Sequence, residues 1–311
     1  MGYHLVQLAR SGKRLTPILL VALLSIPFLL VPIIIVGSIL GEGIIAPLFG
    51  TEEAINASAV TSGLVFTLIE LLTYVAVILI VWLWLKAYEK RALTSIGLES
   101  SGALRKLGVG AAIGFGAFTV WLLIAYATGA VVLEPSPPQI VGSRALLGVL
   151  IASVGVLIAA AAEEVVFRGW ALGVISARST PALGVILSSV LFALPHALND
   201  DITLLAMLNI GLYGAVLALW ALLQGNIWGV IGFHWLWNFA QFNLYGFDVT
   251  ETETLGGALV NFAYTANVPF MTAGVVAEDS LFLTLAASAA VVGLWIVLRG
   301  KRGEARASSS T

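Results

Sequence analysis

The sequence predicts an all-α, polytopic membrane protein, built as a bundle of about eight transmembrane helices. Only 10% of the 311 residues are charged and 59% are hydrophobic, whereas soluble domains carry about 25% charged residues. The mean hydropathy is +1.02, and several apolar runs reach the roughly 20 residues that a helix needs to cross a bilayer. We expect a single membrane domain over residues 1–311.

Apolar segments long enough to span the bilayer follow one another along the whole chain. The first carries three prolines, which predict bends. The second carries Glu70, for which we favour a contact with a neighbouring helix. The segments are Thr16–Leu40, Gly63–Leu85, Leu107–Leu133, Leu146–Ile175, Ala182–Leu198, Ile202–Gln224, Ile227–Phe247 and Leu281–Leu298.

Basic residues are distributed unevenly between the connecting segments. If the amino end lies in the cytoplasm, nearly all Lys and Arg fall on the cytoplasmic side, and Arg144 stands alone among acidic residues outside. This is the positive-inside pattern of membrane proteins. We therefore expect an integral, multi-pass protein with both termini in the cytoplasm and a disordered cytoplasmic tail over residues 303–311.

The residue types available for chemistry are few. The chain has no cysteine and three histidines, His4, His196 and His234. The lack of cysteine excludes disulfides, thiolate metal sites and cysteine nucleophiles; together with the lack of a eukaryotic sorting signal, it favours a prokaryotic plasma membrane. An H-E-x-x-H zinc motif, a G-x-S-x-G elbow, a phosphate loop and a dinucleotide fingerprint are also absent from the sequence.

Three charged residues lie inside the fourth segment: Glu163, Glu164 and Arg168. A charge at bilayer depth is unfavourable by about 3 kcal/mol even on lenient insertion scales. Three charged residues in this segment therefore indicate a structural or a functional role. Glu164 and Arg168 are four residues apart on a helix and can form an ion pair. Neighbouring residues point about 100° apart, so Glu163 is expected to face a different partner. A buried glutamate without a cationic partner is typical of a general base.

Two later segments carry the other candidate residues. Pro195 precedes His196 in the fifth segment and is expected to bend that helix. His234 and Asn238 share one face of the seventh. At 1.5 Å per residue, Glu163 and His196 lie about 18 and 21 Å from the cytoplasmic ends of their segments. His234 and Asn238 lie at about 10 and 16 Å, so the seventh helix must tilt or start deeper for all four to meet.

Structural and transport roles for these residues stay open at this level. A buried ion pair can lock helices together, and a membrane histidine is often a hydrogen-bond donor between helices. Intramembrane Glu and His also mark ion paths, although no inverted repeat supports a transporter. A catalytically idle scaffold or immunity-type protein is the other alternative. The joint occurrence on three segments favours an active site buried between spans four, five and seven.

These residues form three ordered blocks that resemble a known family. The family is the CPBP family, also called the ABI or CAAX-protease and bacteriocin-processing family, whose best known members trim prenylated CAAX proteins. The resemblance covers the expected catalytic core, residues 146–247. The blocks are E-E-x-x-x-R (Glu163, Glu164, Arg168), F-x-x-x-H (Phe192, His196) and H-x-x-x-N (His234, Asn238).

The resemblance implies an intramembrane endopeptidase. Its substrate would be a membrane-associated protein or peptide, prenylated tails included, and no nucleic acid is implied. Glu163 would activate water with help from His196. His234 and Asn238 would stabilise the oxyanion, and the ion pair of the fourth segment would support the site.

The need for a metal stays open in the sequence. Glu163, His196 and His234 would form a three-ligand set suited to one catalytic Zn ion. The absence of a closely spaced second ligand, such as histidines at i and i+4, favours the metal-free interpretation. In that interpretation the same residues act directly on water.

Overall fold

The computed structural model describes residues 3–137, 139–199, 202–247, 256–265, 268, 270–271 and 277–307, with side chains to Lys301. It confirms the fold class, because most of the described residues are helical and the described sheet has only two short strands. The elements are α1 His4–Ala9, α2 Ile18–Pro32, α3 Glu52–Asn56, α4 Ala59–Trp84, α5 Ala103–Ala127, β1 Val131–Leu133, α6 Leu146–Glu164, α7 Leu172–Arg178, α8 Pro181–Ala193, α9 Leu204–Gln224, α10 Trp228–Phe239, β2 Phe262–Tyr264 and α11 Leu281–Ala307.

Several of these helices continue in π- or 3-10-helical form without a break. Separate 3-10 turns occur at Leu93–Ile96 and Gly142–Arg144. The extensions are Ile33–Ile45 and Ala46–Phe49 after α2, Leu85–Glu89 after α4, Val165–Ala171 between α6 and α7, Leu194–Leu198 after α8 and Ala240–Leu244 after α10.

Seven helices of the described chain are long and apolar enough to cross a membrane, so the protein is an integral, multi-pass membrane protein. They correspond to all predicted segments except the seventh, 227–247. The spanning helices are Ile18–Phe49, Ala59–Glu89, Ala103–Ala127, Leu146–Arg178, Pro181–Leu198, Leu204–Gln224 and Leu281–Lys301.

The seventh predicted segment is shorter than expected. Its α-helix, α10, has 12 residues, followed by a π-helical extension of 5 residues. Gly225, with φ of 72°, precedes this helix, and Gly246, with φ of 70°, follows it. Glycine adopts this left-handed conformation without strain and commonly ends a helix there. The helix over residues 228–244 therefore begins almost where the predicted segment begins and ends three residues before Phe247, the predicted end.

Glycines bring α5 and α10 into backbone contact. A side chain at Gly110 would overlap the carbonyl oxygen of Gly229, and one at Gly114 would overlap that of Phe233. Glycines at positions 108, 110, 114 and 116 of the third segment predict a close helix-packing face. The contacts confirm it at Gly110 and Gly114, whereas a methyl group added at Gly108 or Gly116 would meet no described atom within 4 Å. Residue numbers rise together along both helices, so α10 runs parallel to α5.

A fully buried glutamate ties three elements together at one end of the bundle. Glu89 ends the extension of α4 and accepts a hydrogen bond from Thr16 Oγ1 at 2.5 Å. It also accepts from Trp170 Nε1 at 3.1 Å and from Arg91 Nε at 2.6 Å. Burial lowers the pKa of Arg91, against the opposing effect of the Glu89 carboxylate. The start of α2, the end of α4 and the π segment Val165–Ala171 are thereby joined.

The connection before α11, described in part, returns to the bundle. Strand β2 pairs antiparallel with β1, with Tyr264 opposite Val131. Asn209 Nδ2 donates to the carbonyl oxygens of Glu278 at 2.6 Å and Ser280 at 2.9 Å. The end of this connection therefore lies against α9.

Helix α11 continues to Ala307, into the segment 303–311 predicted as a disordered tail. Residues 308–311 lie outside the described residues. The assignment of residues 146–247 as the catalytic core of a single domain stays a prediction.

Candidate active site

The two adjacent glutamates end α6, and the π-helical segment Val165–Ala171 follows them directly. Such π turns are rare and occur frequently at functional sites. Glu164 and Arg168 are completely buried, with 2.8 Å between Oε1 and Nη1. The predicted ion pair is confirmed.

His234 lies against both glutamates. Its Nδ1 is 2.9 Å from Glu164 Oε1, and its Nε2 is 4.0 Å from Glu163 Oε2. The expectation that the two glutamates face different partners is therefore wrong: the two ring nitrogens lie on different edges of the imidazole, so one ring reaches both carboxylates. Glu163 is the more open of the two, with 17% of its side chain exposed against 0% for Glu164.

The contact with Glu164 fixes the proton on His234. An ionised carboxylate only accepts hydrogen bonds, so the Nδ1 of His234 is the donor in this contact. Its Nε2 is then the nitrogen nearer to Glu163. This Nε2 is an acceptor in the neutral ring and a donor in the doubly protonated ring.

His196 lies in the 3-10 turn Leu194–Leu198, where the α-helical part of α8 has ended. The change from α to 3-10 form begins at Leu194, the residue before Pro195, and the predicted bend stays a prediction. The Nδ1 of His196 is 3.1 Å from the carbonyl oxygen of Phe192. Because a carbonyl only accepts, Nδ1 carries the proton and the Nε2 of the neutral ring is an acceptor.

The ring of Phe192 packs among the polar groups and sets their spacing. Its centroid is 5.2 Å from that of His196 and 5.9 Å from that of His234. The guanidinium of Arg168 lies 4.0 Å from the same centroid, which is a cation–π geometry. One aromatic ring thus contacts a polar residue from each of the three sequence blocks.

A pocket of about 120 Å³ is lined by His196, His234 and Asn238. A water molecule occupies about 30 Å³ in the liquid, so this volume holds a few waters or a small group. Glu163 is not a lining residue, but its carboxylate lies 4.0 Å from the wall residue His234. The structure thus brings three of the four predicted catalytic residues to one pocket and the fourth next to it.

Sequence reasoning missed four polar residues of this pocket, Asn199, Tyr213, Gln241 and Glu278. The ring centroid of Tyr213 is 5.7 Å from that of His234. The carboxylate of Glu278 accepts a hydrogen bond from Trp237 Nε1 at 3.2 Å. An apolar helix gives no sign that one tyrosine faces a site, and Glu278 falls in a segment that reads as an acidic outer loop. Neither position could be found from its sequence context.

Several buried polar atoms beside the pocket have no hydrogen-bond partner among the described residues. They are Glu164 Oε2, Arg168 Nε and Nη2, and the Tyr213 hydroxyl. Buried polar atoms are normally paired in folded proteins. Their concentration here is typical of a site at which water or a substrate supplies the missing partners.

The zinc set considered from the sequence does not fit the described residues. No three His, Asp or Glu side chains in this part of the chain are arranged to hold a metal ion.

The helical membrane bundle thus brings His196, His234 and Asn238 to one pocket, with Glu163 beside His234. A family model described as type II CAAX prenyl endopeptidase Rce1-like matches residues 144–240. The match includes every predicted site residue and ends before Glu278. Over these residues the chain is similar to this family of CAAX prenyl endopeptidases, which supports the resemblance to the CPBP, or CAAX-protease, family and a membrane-associated protein as the substrate. No curated protein and no solved structure gives a significant match.

Proposed function

We propose that the protein is an intramembrane endopeptidase that hydrolyses a peptide bond of a membrane-associated protein, with water activated by Glu163. The observation that carries the proposal is the contact of His234 with both glutamates, at the wall of a pocket shared with His196 and Asn238. Amide hydrolysis needs a base for water and donors for the developing oxyanion. These residues supply both in one small volume.

Glu163 is the general base. A water molecule in the pocket donates one hydrogen bond to the Glu163 carboxylate and the other to the Nε2 of His196. The proton position on His196 supports this role, because its Nδ1 is bound to the Phe192 carbonyl and its Nε2 is an acceptor. As the water oxygen attacks the peptide carbonyl carbon, its proton passes to Glu163.

His234 and Asn238 stabilise the oxyanion that this attack creates. The side-chain amide of Asn238 donates directly. The Nε2 of His234 donates when the ring is doubly protonated, since Nδ1–H is bound to Glu164. Donors that are already oriented in a pocket shielded from water contribute more than the same donors in bulk water.

The second half of the reaction returns the proton. The tetrahedral intermediate collapses, the carbon–nitrogen bond breaks, and the proton held on Glu163 passes to the leaving amine. Glu164 and Arg168 do not touch the reacting atoms in this scheme; they position the His234 ring.

The test is cleavage of membrane-tail and prenylated peptides by the purified full-length protein in detergent, with products identified by mass spectrometry. Glu163→Gln keeps the size of the side chain but removes the base, so we expect the cleavage rate to fall by about 10²-fold or more. The matched control is Glu53→Gln, which removes an exposed carboxylate in α3. It should cleave at the wild-type rate.

Each outcome is informative. Equal rates for wild type and Glu163→Gln would refute the mechanism. If no peptide is cleaved and vesicles show ion-coupled uptake, the transporter alternative replaces the protease. A parallel reaction with a strong chelator should retain activity; its loss would show that a metal ion takes part.

A further inference from the structure

Glu278 lies where two cavities meet. One is the 120 Å³ pocket of the candidate active site; the other is an apolar cavity of about 670 Å³ between α5, α9, α10 and α11. Tyr213, Trp237 and Glu278 line both cavities. Among their described lining residues, Glu278 is the only Asp, Glu, Lys or Arg. A single carboxylate therefore marks the junction between a polar pocket and an apolar cavity.

The position of Glu278 is fixed by neutral donors. Its carbonyl oxygen accepts from Asn209 Nδ2 at 2.6 Å, and its carboxylate accepts from Trp237 Nε1 at 3.2 Å and Gln241 Nε2 at 3.5 Å. No cation of the described residues forms an ion pair with it. Because Trp237 follows His234 by three residues on α10, the carboxylate is held about one helical turn from the site histidine.

A second acceptor lines the larger cavity. Asn209 is only 3% exposed, and its Oδ1 has no hydrogen-bond partner among the described residues. An ammonium or guanidinium group carries several hydrogen-bond donors and no acceptor. A cationic group at the junction would satisfy both the carboxylate and the amide oxygen.

The excess of negative charge at the site also favours a cationic group of the substrate. Glu163, Glu164 and Glu278 bring three carboxylates to this region, against the single guanidinium of Arg168. Charges interact strongly where water is scarce. A substrate carboxylate near this junction would be repelled, and a substrate cation would be attracted.

We propose that Glu278 determines specificity by binding a positively charged group of the substrate within a few residues of the scissile bond. The group would be a Lys or Arg side chain or a free amino group, and the adjoining apolar part of the substrate would occupy the 670 Å³ cavity. This inference rests on the proposed protease function and names the class of substrate for that site.

The test uses the peptide and cleavage bond found with the wild-type protein. Lys, Gln or Glu is placed at each of three positions on either side of that bond, and kcat/KM is measured for every peptide. At the position that meets Glu278, wild type should prefer Lys over Glu by at least about tenfold. Glu278→Gln should abolish most of this preference, and Glu278→Lys should reverse it. The control Glu53→Gln should keep the wild-type ratio.

The two proposals fail in different ways. A Lys/Glu ratio near one for wild type at all positions, or an unchanged ratio in both Glu278 variants, overturns the role of Glu278 and leaves the protease intact. Lack of Glu163-dependent cleavage of every peptide overturns the protease itself. The ratio of two peptides on one variant is insensitive to the fraction of that variant that folds, so a partly unfolded Glu278→Lys preparation still gives a valid result.

Discussion

The oxygen Oε1 of Glu164 bonds to both Arg168 and His234. The charge of Arg168 makes this buried carboxylate tolerable, and the carboxylate in turn holds the proton on the Nδ1 of His234. Glu163, the neighbouring residue, has no Lys or Arg partner among the described residues and keeps part of its surface exposed. Two adjacent residues of the same type thus have different surroundings, which favours a positioning role for one and a base for the other.

We expect Glu164→Gln to reduce both stability and turnover. Removing one partner of a buried ion pair leaves the other charge uncompensated, and the free energy of unfolding should fall by about 3 kcal/mol. The His234 ring loses its charged anchor, so kcat should fall more than KM rises. Thermal unfolding in detergent and peptide kinetics measure the two effects. A double variant, Glu164→Leu with Arg168→Met, should regain part of the stability and none of the activity; equal stability of wild type and Glu164→Gln would contradict the argument.

Tyr264 gives a prediction on alkaline pH. Burial, and secondarily the Glu278 carboxylate, raises the pKa of its phenol well above the ordinary value, which is about 10. A raised pKa means that the contribution of the protonated phenol is fully present below about pH 10 and is lost as the pH rises further. Tyr264→Phe should therefore lose less stability than wild type between about pH 9 and 11, as measured by thermal unfolding. Parallel curves for the two proteins would show that the phenol does not contribute.

At the level of elements, the close packing of α10 against α5 determines the position of His234 within the bundle. The glycine pairs let the two backbones touch, and the contact at Gly114 is with Phe233, the residue just before His234. The close contact of small residues is a common basis of helix packing in membranes. Any side chain at Gly114 must push α10 away from α5 and move the site histidine.

Gly114→Ala tests this dependence. We expect a loss of about 1–3 kcal/mol in the free energy of unfolding, as for overpacking in cores, and a fall in kcat. The matched control is Gly108→Ala on the same helix, where a methyl group meets no described atom within 4 Å. It should keep wild-type activity and gain slightly in stability, because alanine favours helix over glycine by about 1 kcal/mol. Equal effects of the two substitutions would show that the contact does not position the site.

The sequence predicts most of this fold because apolar length, charge placement and motif spacing are local signals. Hydropathy finds α5 and α9 directly, and the i, i+4 spacing finds the Glu164–Arg168 pair. Sequence-based prediction fails for features that depend on contacts between residues distant in the chain. The helix of the seventh segment ends before Gly246, which has a left-handed conformation, and Glu278 reaches the pocket because the chain before α11 returns to α9. No periodicity in the sequence encodes that return.

At the level of the whole molecule, the contacts place α1 and the carboxyl end of α11 at the same end of the bundle. His4, near the amino terminus, lies beside Gly225 at the end of α9. Helix α11 begins beside the start of α9, where Ser280 bonds to Asn209, and packs along it. Its carboxyl end therefore also lies toward Gly225. This arrangement agrees with the charge pattern, which puts the basic connections at that end.

Cysteine labelling tests which end faces the cytoplasm. The natural sequence has no cysteine, so all maleimide labelling of a single-cysteine variant comes from the introduced residue. Ser100 and Ser143 are exposed and lie in the connections at opposite ends of α5. In intact cells a membrane-impermeant maleimide should label Ser143→Cys at once and Ser100→Cys only after lysis, because positively charged connections remain in the cytoplasm. The reverse pattern would place the termini outside. It would also turn the acidic connection that carries Glu278 toward the cytoplasm, so substrate tails would reach the pocket from that side.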